Sequence, residues 1–131
     1  MKISLHLGIF LAFVALQAAG NLYSFKEGIT QSKKSGKPLL VYFYSENCPY
    51  CRQMDTYVLS DKEVETFINR NFVYSTVDID NDEGDLISEK YRLHVTPSFL
   101  LLDKNGKEIH SFSGSRDKES FIKELNIYRI K

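Results

Sequence analysis

The sequence has no tryptophan, three prolines and only two cysteines in 131 residues, and its 17 Lys and Arg are matched by 17 Asp and Glu. A structural zinc site needs four ligands, and one cysteine pair supplies half of them. The histidines, His6, His94 and His110, fall at no finger-like spacing that would supply the rest. A balanced charge gives no field that would recruit nucleic acid or an anionic membrane, so any partner has to be argued from a site. Repeats, low-complexity tracts and internal linkers are also missing. One domain with a single compact core is what this length allows.

What is present starts with the leader. "MKISLHLGIFLAFVALQAAG" carries one Lys, an apolar run from Leu7 to Leu16 and then the small residues Ala18, Ala19 and Gly20. That is the three-part layout of a secretory signal peptide, with a cut before Asn21. The run falls short of the roughly 20 apolar residues that span a bilayer, so an uncleaved anchor is the lesser alternative. Residues 1–20 are read as the signal and 21–131 as the mature domain, bound for the periplasm or the exterior. Hydrophobic residues at 43%, with nine Phe and eight Tyr, suit a globular fold.

Periodicity predicts a first helix over Leu22 to Ser35, stopped by Gly36. "KPLLVYFYS" is apolar and β-branched with Pro38 at its start, the reading of a central strand covered on both faces. "RQMDTYVLS" is predicted helical, with Met54, Tyr57 and Val58 on one side. A further helix begins at Ser60 or Asp61, with Glu63 as capping-box partner of Ser60 and with Val64, Phe67 and Ile68 inward. "FVYSTVDID" reads as a strand and "DEGDLISEKYRL" as a helix with acidic residues in its first turn. "SFLLLD" and "KEIHSFSG" form a hairpin whose Asn105 and Gly106 can take positive φ. "RDKESFIKELNIY" closes the chain as a helix with Phe121, Ile122 and Leu125 inward. The early strand-helix-strand unit predicts parallel pairing and the late hairpin an antiparallel edge: an α/β chain with a mixed sheet and helices on both faces.

Both cysteines lie in "YSENCPYCRQM", between a buried strand and a helix start. As a staple, Cys48 and Cys51 would close a loop of two residues, which removes little entropy from the unfolded chain. As a redox pair the placement is informative. Unpaired backbone N–H groups at the helix start stabilise a thiolate at Cys48, Pro49 suits the first helical position, and Cys51 one turn further in can resolve a mixed disulfide. Downstream, "HVTPSF" places Pro97 just before a strand, either as a simple chain reversal or as a cis Thr96-Pro97 bond that would expose the backbone of Thr96 beside Cys48.

These features in this order, with Gly114 after the last strand, resemble the thioredoxin superfamily over roughly Leu22 to Leu125. "GKPLLVYFYSENCPYC", "LSDKEV" and "VTPSFLLLDKNGKEI" are most similar to exported bacterial thioredoxin-like proteins such as the periplasmic domain of DsbD and the SoxW-type thioredoxins. The resemblance implies a thioredoxin fold, Cys48 as attacking and Cys51 as resolving thiol, Pro97 in cis opposite them, and Gly114 in the adjoining groove loop. Pro49, Tyr50, Thr96, Pro97 and Gly114 are then the substrate-binding candidates.

The chain also departs from the family. Asn47 stands where thioredoxins have Trp, Pro49-Tyr50 replaces Gly-Pro as in glutaredoxins, Tyr42 replaces the buried Asp that assists the resolving thiol, and Thr76 replaces a Lys on the next strand. Another group or water must take the Cys51 proton; Glu46 is a weak candidate and reads as a solvated loop residue. His94, Phe43 and Tyr44 read as a turn residue and sheet aromatics.

The expected function is a thiol:disulfide oxidoreductase, reducing or oxidising the disulfides of partner proteins. Because its dithiol carries both electrons, neither cofactor nor metal is expected. A membrane-bound electron donor, no nucleic acid and a monomer complete the expectation. The alternatives are a non-catalytic binding module whose cysteines are structural or hold a soft metal such as copper, and a glutaredoxin-like deglutathionylase.

Overall fold

The computed structural model describes residues 22–129; the proposed signal peptide lies outside them. Five strands, β1 Leu22–Tyr23, β2 Leu39–Tyr44, β3 Val73–Asp78, β4 Ser98–Leu102 and β5 Glu108–Ser113, form one sheet in the order β1-β3-β2-β4-β5. β3 is parallel to β1 and β2, whereas β4 is antiparallel to both β2 and β5. The mixed sheet expected from the sequence is therefore present. Its helices are α1 Phe25–Ser35, α2 Pro49–Met54, α3 Lys62–Asn71, α4 Asp82–Tyr91 and α5 Lys118–Asn126.

The period-two alternation of β2 divides the interior into two layers. Leu39, Val41 and Phe43 join Val73, Val77, Leu100 and Leu102 in the layer closed by Phe25 and Ile29 of α1 and Ile87 and Tyr91 of α4. Leu40 and Tyr42 join Phe99, Leu101 and Phe112 in the other, closed by Met54 of α2, Val64 and Ile68 of α3 and Phe121 and Leu125 of α5. The cysteines belong to this second layer. On the first, α1 approaches so closely that a Cβ on Gly28 would meet Ser75 Oγ and come within 2.9 Å of a Leu39 methyl.

Several local expectations are corrected. Leu22 is not helical: it pairs with Tyr74 in β1, because Ser24 begins α1 with a full capping box, its Oγ accepting from Glu27 N–H while Glu27 accepts from Ser24 N–H. The box expected at Ser60 and Glu63 does not form. Asp61 caps α3 by accepting from the Glu63 and Val64 N–H groups, Ser60 bonds back to the Thr56 carbonyl, and Glu63 instead meets Lys118 at 2.9 Å. After Met54 the helix widens into a π turn over Asp55–Leu59, which rotates Tyr57 outward to 74% exposure while Val58 stays buried. In the β4-β5 turn only Gly106 has positive φ (80°), since Asp103 Oδ1 accepts from Asn105 and Lys107 N–H and holds Asn105 in an ordinary conformation. Gly36 ends α1 at φ 75°, as expected.

Ser24→Ala removes the cap of a helix that, with α4, covers one face of β2. A loss of about 1 kcal/mol is expected in urea unfolding, and an unchanged midpoint would show that β1 alone anchors α1.

Candidate active site

Strand β2 ends at Tyr44, and the loop Ser45 to Asn47 delivers Cys48 to the N-cap of α2 with extended backbone (φ −120°). Pro49 takes the first helical position, where no donor is lost. Cys48 and Cys51 form a disulfide and are 5% and 2% exposed, so the pair sits at the surface with one narrow edge open. Cys48 Sγ accepts a hydrogen bond from Cys51 N–H at 3.1 Å. In the reduced protein that donor is placed to stabilise a Cys48 thiolate.

The loop before the cysteines is held from both sides. Asp80 accepts from Glu46 N–H at 3.1 Å, Arg52 donates to the Glu46 carbonyl at 3.4 Å, and the hydroxyls of Ser45 and Thr96 lie 3.4 Å apart. Of the two readings of "TP", the cis one is found: Thr96-Pro97 is a cis bond. Pro97 is buried and Thr96 half-buried, and the Pro97 carbonyl accepts from Gly114 N–H at 2.8 Å, so Thr96, Pro97 and Gly114 are gathered into one edge. Tyr50 and Val95 stand exposed around this edge at 60% and 63%. His94 and Glu46 are exposed, Phe43 is buried in the opposite layer, and Tyr44 is half-buried.

Beneath the disulfide, Tyr42 meets a carboxyl that the sequence does not single out, Asp55. Tyr42, at the position of the family's buried acid, stacks on Phe99 at 4.9 Å and donates to the Cys51 carbonyl at 3.4 Å. Its hydroxyl also interacts with Asp55, one helical turn beyond Cys51. Asp55 is itself exposed and lines an open surface groove with Tyr42, Tyr44, Leu59, Tyr74 and Thr76. The surrounding rings strip enough water to raise the Asp55 carboxyl above the ordinary carboxylate range, and the Tyr42 hydrogen bond offsets part of that rise. Burial likewise pushes the Tyr42 and Tyr74 phenols up, with the Asp55 charge adding to both shifts. Nothing in the sequence singles out Asp55; its i+4 spacing from Cys51 is the available signal.

The folded state holds the Asp55 proton more tightly than the unfolded state, so stability declines as pH rises from about 4 through the carboxylate range. Asp55→Asn removes this decline: the melting temperature of the variant, relative to wild type, rises as pH climbs through and above the ordinary carboxylate pKa near about 4. A constant difference would show that the carboxyl titrates normally.

With this geometry in view, the relatives can be placed. Residues 25–128 match the model of the thioredoxin-like domain family. A thioredoxin from Thermus thermophilus superposes with a TM-score of 0.75 at 37% identity, covering 82% of this chain and 85% of that one. The chain belongs to the thioredoxin-like family, and its Cys48–Cys51 pair is a CXXC disulfide at the start of α2. The C-terminal domain of Neisseria meningitidis DsbD shares the fold, with a TM-score of 0.68 at 21% identity over 79% of this chain and 93% of that domain. In sequence, the thiol:disulfide interchange protein DsbD of Yersinia pestis is 25% identical over 115 residues, which is 86% of this chain and 19% of DsbD. The chain thus spans between 19% and 25% of the length of the first curated relatives it matches.

Proposed function

We propose that this protein is an exported, monomeric thiol:disulfide oxidoreductase that works chiefly as a reductant of disulfides in partner proteins. The observation that carries this reading is the near-buried Cys48–Cys51 disulfide at a strand-to-helix junction, within one site with the Thr96, Pro97 and Gly114 edge. The Cys48 thiolate attacks one sulfur of the partner's disulfide; that S–S bond breaks, the first partner thiolate leaves, and a mixed disulfide forms. Cys51 then loses its proton and attacks Cys48 Sγ, which closes the Cys48–Cys51 disulfide and releases the second partner thiolate. Two electrons pass from the enzyme dithiol to the partner, and the released thiolates take up protons. No cofactor is required. A membrane-bound dithiol donor restores the reduced enzyme, and the leader sequence supports export.

Proton handling and direction rest on Asp55. Tyr42 reaches the Cys51 carbonyl, and the Asp55 carboxylate beside Tyr42 is the group we assign the role the family gives to an acid at the Tyr42 position. A negative charge there opposes thiolate formation, stabilises the disulfide form and favours the reducing direction. Asp55→Asn is expected to raise the reduction potential by about 10–30 mV, where 30 mV is roughly 1.4 kcal/mol for two electrons. A potential that stays the same or falls would remove Asp55 from the account.

The test of the class is insulin-disulfide reduction driven by dithiothreitol. Wild type accelerates precipitation and Cys48→Ser does not. A metal-handling module would give equal inactivity in both, with copper retained by the wild type alone. A glutaredoxin-like enzyme would instead keep its activity on glutathione mixed disulfides after Cys51→Ser.

A further inference from the structure

We infer that Arg116 is a positioning residue for the substrate groove, holding the turn that carries Gly114 and, through it, the Pro97 carbonyl. The inference rests on the oxidoreductase reading above and adds to it a residue that sets affinity for protein substrates.

Arg116 lies two residues beyond Gly114, in the loop between β5 and α5. Its Nη1 donates toward the carbonyls of Ser113, Gly114 and Ser115 at 3.1, 3.4 and 3.3 Å, so the turn's oxygens converge on one guanidinium. Nε donates to Glu124 Oε2 of α5 at 3.1 Å, and the planar group lies over the Phe112 ring at 5.2 Å. The Arg116 N–H donates to Met54 Sδ at 3.3 Å, and Met54 is a fully buried residue of α2, one turn after Cys51. The same residue thus ties the groove turn to the helix that carries the dithiol and to α5.

Glu124 is fixed in turn. Its other oxygen meets His110 Nε2 at 3.1 Å, and the His110 ring stacks on Tyr128 at 4.4 Å. An exposed ion pair contributes little. This one is half-buried and uses the fork of donors that only arginine presents, which a lysine ammonium cannot reproduce against four oxygens. The turn in question is the one whose Gly114 N–H holds the Pro97 carbonyl at 2.8 Å. Gly114 has a φ of 91°, and a Cβ there would lie 3.5 Å from Arg116 Nη1. Without the guanidinium, three carbonyls facing one point repel one another, and the turn moves away from Pro97. The edge that an extended substrate chain meets beside Cys48 then loses its fixed wall.

Arg116→Met keeps the apolar stem over Phe112 and removes the donors. The expected result is a KM for insulin raised about five- to tenfold with kcat within about twofold of wild type. The rate with a small aromatic disulfide, 5,5′-dithiobis(2-nitrobenzoate), which needs no groove, stays within about twofold. Amide exchange at Gly114 accelerates while the reduction potential is unchanged. Glu124→Gln, which keeps Arg116 and weakens its anchor, gives the same pattern with a KM rise of about two- to threefold, and it serves if Arg116→Met fails to fold. An unaltered KM with unaltered Gly114 exchange overturns the inference, as does a loss shared equally by insulin and the small disulfide. If wild type reduces neither substrate, the oxidoreductase reading fails, and Gly114 exchange still decides whether Arg116 holds the turn.

Discussion

Cys48→Ser is expected to reduce insulin turnover to background, while Cys51→Ser should accumulate a covalent complex with partner protein. The asymmetry follows from position. Cys48 is the N-cap whose sulfur accepts the Cys51 N–H and whose edge remains open at 5% exposure, whereas Cys51 is 2% exposed and packed over Tyr42. An attacking thiol needs access and a stabilised thiolate; a resolving thiol needs only its neighbour. Removing the second leaves the mixed disulfide with no internal exit. Non-reducing electrophoresis of Cys51→Ser incubated with a protein disulfide should show the adduct, and its disappearance in the double serine variant should assign it to Cys48. Adducts formed equally by Cys48→Ser would reverse the two roles.

Phe99→Ala is expected to cost about 3–5 kcal/mol, against a total stability of roughly 5–15 kcal/mol for a domain of this size. Phe99, the second residue of β4, is fully buried. Its ring stacks on Tyr42 at 4.9 Å and on Phe112 at 5.0 Å and meets Phe121 edge-on at 5.0 Å. The cavity left behind would lie directly beside Tyr42, so the variant should also loosen the Tyr42 hydrogen bond to the Cys51 carbonyl. Urea unfolding monitored by circular dichroism gives the stability. A cost under about 1 kcal/mol would mean that the neighbouring rings close the gap.

The parts of the fold that could be read from sequence are those written in strong periods. Leu39, Val41 and Phe43 alternate with Leu40 and Tyr42, and the run reads as a doubly covered strand because both sets are apolar. β1 was missed because two residues carry no period, and Leu22 and Tyr23 pair with β3 only after the chain has folded over Ser24. Ser60 and Asp61 are both good caps, and their choice depends on the π turn at Asp55–Leu59, which no pattern announces. The same turn reversed the expectation for Tyr57.

At the site, the cysteine pair is legible from residue type and spacing, whereas the cis bond at Pro97 is one of two readings of "TP" and is favoured only by the family resemblance. Asp55 and Arg116 were not legible. Asp55 stays exposed and is marked only by its approach to Tyr42, whereas Arg116 is drawn into a half-buried place by Glu124 and the carbonyls of its own turn. The empty place of the family's buried acid at Tyr42 was visible; what fills it depended on the fold.

Equilibration in glutathione buffers, following the fraction of protein with a Cys48–Cys51 disulfide, tests the account most directly. A single reversible two-electron transition below about −200 mV, on the thioredoxin side of the scale near −270 mV, is the predicted result. A pair that stays bonded across the whole range, or a potential well above about −200 mV toward DsbA near −120 mV, would contradict a reducing dithiol.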